Sequence, residues 1–297
     1  MFINAIVPFM FYIILSICCS VTVAVLLKTA RRFGINIQQS INWNYLSALL
    51  LYFISFSPDL NTLSASMPWK FYIPLSVLLP TVFILLAISI RYIGIVKTDI
   101  AQRLSLFIPI LASYFIFNET ISQLKLIGLS IGFLAIFLTL NKKHDATDEK
   151  RRWIFPLIVL LGFGIIDVLF KQIALNKEVP FTTSLFIIFC GAFLLSTIIS
   201  LYSILMKKTA LELKSFFFGI VLGIFNFGNI LFYLKAHKAL ANNPSTVFAA
   251  MNFGVIIIGS IIGIVVFKEK ISKINYIGIA LALTAVIIIT ASQLYSI

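Results

Sequence analysis

Asp167 is the one acidic residue set well inside an apolar run of this chain, and a carboxylate in that position is a costly choice. Burying an ionised carboxyl in lipid is unfavourable by about 2.5–3.5 kcal/mol on insertion scales, so such a residue defaults to proton relay or substrate ligand. The competing reading is structural: Lys171 follows one turn later, at the favourable i,i+4 spacing for an ion pair. Asn226, Asn229, Tyr233 and His237 fall within about 80° of one another on a helical wheel, a polar stripe on an otherwise apolar segment. A stripe of this kind faces either a cavity or hydrogen-bonding partners on a neighbouring helix. Asn252, Asn44 and Arg91 are further candidates for a substrate-binding site near the membrane midplane, Arg91 having a long stem that could instead carry its charge to the surface. Asp99 and Arg103 form another acid-then-base i,i+4 pair, read here as a locally neutralised pair at the membrane interface.

Other chemistries lack their residues. His144 and His237 have no Cys or acid at ligand spacing, so neither a metal site nor a catalytic constellation is expected. Cys18, Cys19 and Cys190 show no CxxC spacing and read as small packing residues. Without a glycine-rich phosphate loop, direct ATP use is not expected, and no cofactor is implied.

These residues must be positioned by membrane-spanning helices. The chain is 61% hydrophobic and 11% charged, about half the charge fraction of a soluble domain. Apolar runs long enough to cross a bilayer fall at 4–28, 42–57, 70–93, 98–117, 121–141, 152–173, 181–206, 214–237, 245–267 and 272–293. The second is short and leans on Trp43 and Tyr45 near one interface. No basic segment precedes the first run, which reads as a retained span. Pro74, Pro80 and Pro109 interrupt the third and fourth runs, and Asn242-Asn-Pro244 precedes the ninth; such breaks suit either a cavity wall or a packing kink.

The runs divide into two similar sets. The phrase Phe117-Asn-Glu-Thr-Ile-Ser-Gln-Leu-Lys-Leu-Ile-Gly128 returns as Phe267-Lys-Glu-Lys-Ile-Ser-Lys-Ile-Asn-Tyr-Ile-Gly278. The expected units are residues 1–141 and 152–297, five helices each, joined by a charged linker at 142–151. Five is odd, so the second unit enters the membrane inverted relative to the first. Charge agrees: the connections placed on one face hold 17 Lys and Arg, those on the other hold 6. By the positive-inside rule the linker is cytoplasmic and both termini are not. The basic residues sit in connectors rather than along a phosphate-tracking face, which excludes nucleic acid. Gly128-x-x-x-Gly132 and Gly278-x-x-x-Ala282 are matched small-residue ridges for close helix packing. Glu119 and Glu269 stand at span ends, where a carboxylate caps a helix N-terminus.

The Phe-x-Glu-x-Ile-Ser phrase, the Ile-Gly that follows it and Pro109 resemble the EamA-type transporters of the drug/metabolite transporter superfamily, over nearly the whole chain. The second half departs at Gly259, which stands where the first has Pro109. The resemblance implies an all-α integral membrane protein of ten helices in two inverted repeats, and both termini in the cytoplasm, opposite to the charge count. The expected function is a non-enzymatic secondary transporter of a small metabolite in the inner or plasma membrane, working by alternating access. The alternative, suggested by the 29 Phe, is a flippase for an amphipathic lipid-linked molecule. Expected partners are the small-molecule substrate, the bilayer and a coupling ion such as a proton, with a homodimer left open.

Overall fold

A computed structural model of the chain describes residues 2–30, 32–58, 67–105, 107–108, 111–112, 123–140, 154–175, 178–207, 209–239 and 244–294. Ten helices occupy them: α1 Phe2–Thr29, α2 Ile37–Phe56, α3 Trp69–Ile93, α4 Ile95–Leu104, α5 Gln123–Leu140, α6 Ile154–Leu175, α7 Phe181–Lys207, α8 Leu213–Ala239, α9 Pro244–Val265 and α10 Lys273–Leu294. Each answers one expected run in order, and no strand occurs among the described residues. Met10–Thr29, Trp69–Ile93, Phe181–Met206 and Leu213–Ala239 are long and apolar enough to cross a membrane; α5, α6, α9 and α10 carry shorter apolar stretches. Phe11, Ile54, Ile73, Leu194, Ile198 and Leu205 point outward and exposed, as a lipid-facing surface requires.

Helix α2 begins five residues before its apolar run. The Asn36 side chain accepts hydrogen bonds from the Gln38 and Gln39 amides (3.1 and 3.3 Å) and so caps the helix. The longer start puts Tyr45 two turns inside, where it is buried in the core instead of marking an interface. Trp43 stands edge-on to Phe216 of α8, 4.8 Å between ring centres. Helix α3 runs continuously through Pro74 and Pro80. Pro109, Glu119 and the linker at 142–151 lie outside the described residues.

The first five helices and the last five interleave. Helix α1 packs on α8 and α9, α2 on α7 and α8, α3 on α6 and α7, α4 on α6 and α9, and α5 on α10. Polar side chains pin these crossings in the apolar core, where an unsatisfied group is costly. Asn42 Oδ1 accepts from Ser196 and Thr197 (2.9 and 2.8 Å), and Tyr72 pairs with Ser184 (2.8 Å). Gln39 donates to the Ala210 carbonyl and accepts from the Glu212 amide (2.8 and 3.1 Å).

Candidate functional site

The repeated phrase shows its local physics best in its second copy. After α9 the chain turns with Lys268 in the left-handed region (φ 52°), and the Glu269 amide donates to the Gly263 carbonyl (3.0 Å). Ser272 and Asn275 then form a reciprocal cap on α10: the Asn275 amide donates to Ser272 Oγ (3.2 Å), and the Ser272 amide to Asn275 Oδ1 (3.2 Å). With α10 capped by Ser272, Glu269 is not needed there and caps a different helix.

Its carboxylate accepts from the Ile95 and Val96 amides (2.7 and 3.2 Å), the first turn of α4 in the other half of the chain. Lys28 of α1 lies 3.5 Å from Glu269 Oε1 and donates to the Ile90 carbonyl (3.1 Å) at the end of α3. Gly94 makes the α3–α4 break with φ 105°, and a Cβ there would lie 2.6 Å from Glu269 Oε2. One carboxylate thus fastens the end of α9, the start of α4 and α1 at the α3–α4 connection. The expectation that Glu269 caps a helix start stands; the helix is α4 rather than its own.

The Asp99–Arg103 pair begins about one turn into α4, and both side chains are buried among the helices. Asp99 is 8% exposed. Arg103 Nε lies 3.8 Å from Asp99 Oδ1, and Arg103 Nη2 donates to Ser20 Oγ of α1 (3.2 Å). Asp99 Oδ2 and Arg103 Nε are buried with no hydrogen-bond partner among the described residues.

Beside this pair lies a cavity of about 430 Å³. Its walls come from α3 and α4 of the first half and from α6, α7, α8 and α9 of the second. Arg103, Gln102, Asp167, Asn229, Tyr233 and Asn252 supply polar groups, and Phe163, Phe170, Phe181 and Phe189 the apolar surface. An inner chamber of about 190 Å³ shares Gln102, Phe163, Phe189 and Asn229 with it and adds Ser20, Tyr45, Asp99 and Asn226.

Asp167, Asn229, Tyr233 and Asn252 therefore meet at one cavity, with Asn226 in the chamber behind. Asp167 is exposed to that space; the side chain of its expected partner Lys171 lies outside the described set. Asn229 is held by Ser16, whose hydroxyl donates to its Oδ1 (2.8 Å). Asn44 is fully buried, accepts from Asn226 Nδ2 (3.3 Å) and lines neither space. His237 stacks edge-on to Tyr233 (4.6 Å) outside both linings. Arg91 is exposed over the Tyr92 ring (5.4 Å) and does not join the cavity, since it ends α3 on its outer side.

The EamA-like transporter family model matches residues 152–291. An "Uncharacterized protein" of Haemophilus influenzae is 43% identical over 282 residues, covering 92% of this chain and 95% of that protein. The chain belongs to the EamA-like transporter family. It is accordingly a multi-pass membrane protein of the drug/metabolite transporter superfamily, a membership that implies transport rather than catalysis. A solved structure described as "Crystal structure of protein" superposes with TM-score 0.59 at 13% identity, covering 93% of this chain and 98% of that one, and shows a shared fold.

Proposed function

We propose that this family member is a secondary transporter of a small metabolite, working by alternating access between two inverted five-helix halves. The observation that carries this reading is the cavity between the halves, lined by polar side chains from α4 of the first and α6, α8 and α9 of the second. Its volume lies in the range of small-ligand sites, and its mix of carboxylate, guanidinium, amides and four Phe rings suits a solute with both charged and apolar parts. Asp167, Arg103, Asn229, Tyr233 and Asn252 are assigned to contact it.

The helix packing supports the inverted halves. Exchanging each helix with the one five places along turns α1–α8 into α3–α6, α2–α8 into α3–α7, and α1–α9 into α4–α6; all six contacts exist. The pairs α2–α7, α4–α9 and α5–α10 map onto themselves. The cavity extends toward the start of α7 and the end of α8, whereas the Glu269 fastening closes the face that carries the Lys-rich connections. With those connections cytoplasmic, this is an outward-open state of a protein in the inner or plasma membrane.

A thermal-shift screen of the purified protein against amino acids, sugars, nucleosides and cationic drugs tests the reading. A substrate raises the melting temperature in wild type in proportion to ln(1 + [L]/Kd). The shift should vanish in Asp167→Asn and Asn229→Ala. Equal shifts in all three proteins would place the site elsewhere. The aromatic wall favours the flippase as a second reading, and stabilisation by lipid-linked compounds alone would select it.

A further inference from the structure

Two carboxylates and one guanidinium face the space between the halves. Asp99 lines the inner chamber, Asp167 lines the outer cavity, and Arg103 stands beside Asp99 and reaches the outer cavity. The Asp99–Arg103 separation of 3.8 Å is an ion pair without a hydrogen bond, and Asp99 Oδ2 is buried without a protein donor among the described residues. Among the described residues that line these two spaces, Arg103 is the one cation. The described side chains of α9 include no charged group, and Gly259 leaves Oδ2 room: a Cβ there would lie 3.1 Å away. The inner chamber adds Tyr45 of α2, and the outer cavity Tyr233 of α8. At the start of α4, Lys28 already faces Glu269; Arg91 of α3 points outward. Lys125 and Lys273 sit in the first turns of α5 and α10.

One guanidinium cannot pair with both carboxylates at once, and Asp99, buried with no donor to Oδ2 among the described residues, is left uncompensated whenever Arg103 turns away. We propose that Asp99 is a proton-binding site of the inner chamber and that Arg103 is shared between it and the substrate cavity. When the guanidinium turns to Asp167 or to an anionic group of the solute, Asp99 Oδ2 takes a proton from a hydronium ion or water reached through the chamber. When the guanidinium returns, the O–H bond breaks and the proton leaves to water. Proton and solute would then be coupled through one shared cation, an inference that rests on the cavity being the transport path. Gly259, the position where the second half departs from Pro109, is the small residue that this carboxyl requires.

The test needs no substrate. Infrared difference spectra of the purified full-length protein are recorded across a pH titration, following the C=O stretch of protonated carboxyls, with melting curves as the check on folding. The expected result is a titrating component that is present in wild type, missing from Asp99→Asn, and moved to lower pH in Asp167→Asn, where Arg103 keeps Asp99 as its partner. A wild-type titration that Asp99→Asn leaves unchanged, or an Asp99 component unmoved in Asp167→Asn, overturns the proposal. Should Asp99→Asn fail to fold, Gly259→Ala keeps every carboxyl and must displace the band; an unmoved band there overturns it equally. Because no solute is present, a wrong assignment of the transport path would leave these spectra unchanged and would show only in the thermal-shift screen.

Discussion

At the scale of single residues, Glu269 is the side chain with the most at stake. It joins a helix cap to an ion pair, at 12% side-chain exposure. Glu269→Ala removes both acceptors from the Ile95 and Val96 amides and leaves Lys28 without its anion; loss of a cap costs about 0.5–2 kcal/mol. The melting temperature in detergent should fall by several degrees, with Glu269→Gln between alanine and wild type because an amide oxygen still accepts. Gly94→Ala should be at least as harmful, since it adds a Cβ at φ 105° against that same carboxylate. Asp167, Asn229, Tyr233 and Asn252 were legible as outliers because polar groups are scarce in apolar runs. Asp99 and Arg103 were not. Their i,i+4 pairing at the edge of a run reads as a locally neutralised pair, and only the packing of Ser20 on α1 and Gly259 on α9 against it shows that it faces the space between the halves.

Elements were legible in existence and order, while their ends followed local chemistry that hydropathy does not record. Asn36 lengthens α2 and Gly94 splits α3 from α4. A further signal went unread: Gly219-x-x-x-Gly223 on α8. A Cβ on Gly219 would lie 2.5 Å from the Ser40 carbonyl oxygen and one on Gly223 2.7 Å from that of Asn44, so α2 and α8 meet backbone to backbone. Backbone oxygens cannot rotate away as a side chain can. Gly219→Ala and Gly223→Ala should each destabilise by about 1–3 kcal/mol, the usual cost of overpacking. Denaturation of the single and double variants in micelles reads this directly. Ser272→Ala, which removes the α10 cap, should cost about 1 kcal/mol and leave ligand binding untouched. The expected ridge at Gly128 does approach α10, where a Cβ would meet Ile289 at 2.6 Å.

For the whole molecule, the proposed orientation, with the charged linker cytoplasmic, is open to a direct check. A single cysteine at Ala146, in a background without Cys18, Cys19 and Cys190, should resist an impermeant thiol reagent in intact cells and react after permeabilisation. Labelling from outside would reverse the assignment of the cavity as outward-open. The packing of the halves also bears on how the chain is made. Helix α4 is synthesised with its first amides uncapped, and their acceptor, Glu269, is translated 174 positions after Ile95. At roughly 5–20 residues per second that interval lasts on the order of ten to thirty seconds. Throughout it the insertion machinery or water must satisfy the α3–α4 break, so a nascent chain arrested before α10 should present that break to proteases. The α9–α10 hairpin, made long after α4, is then the one that seals the first half.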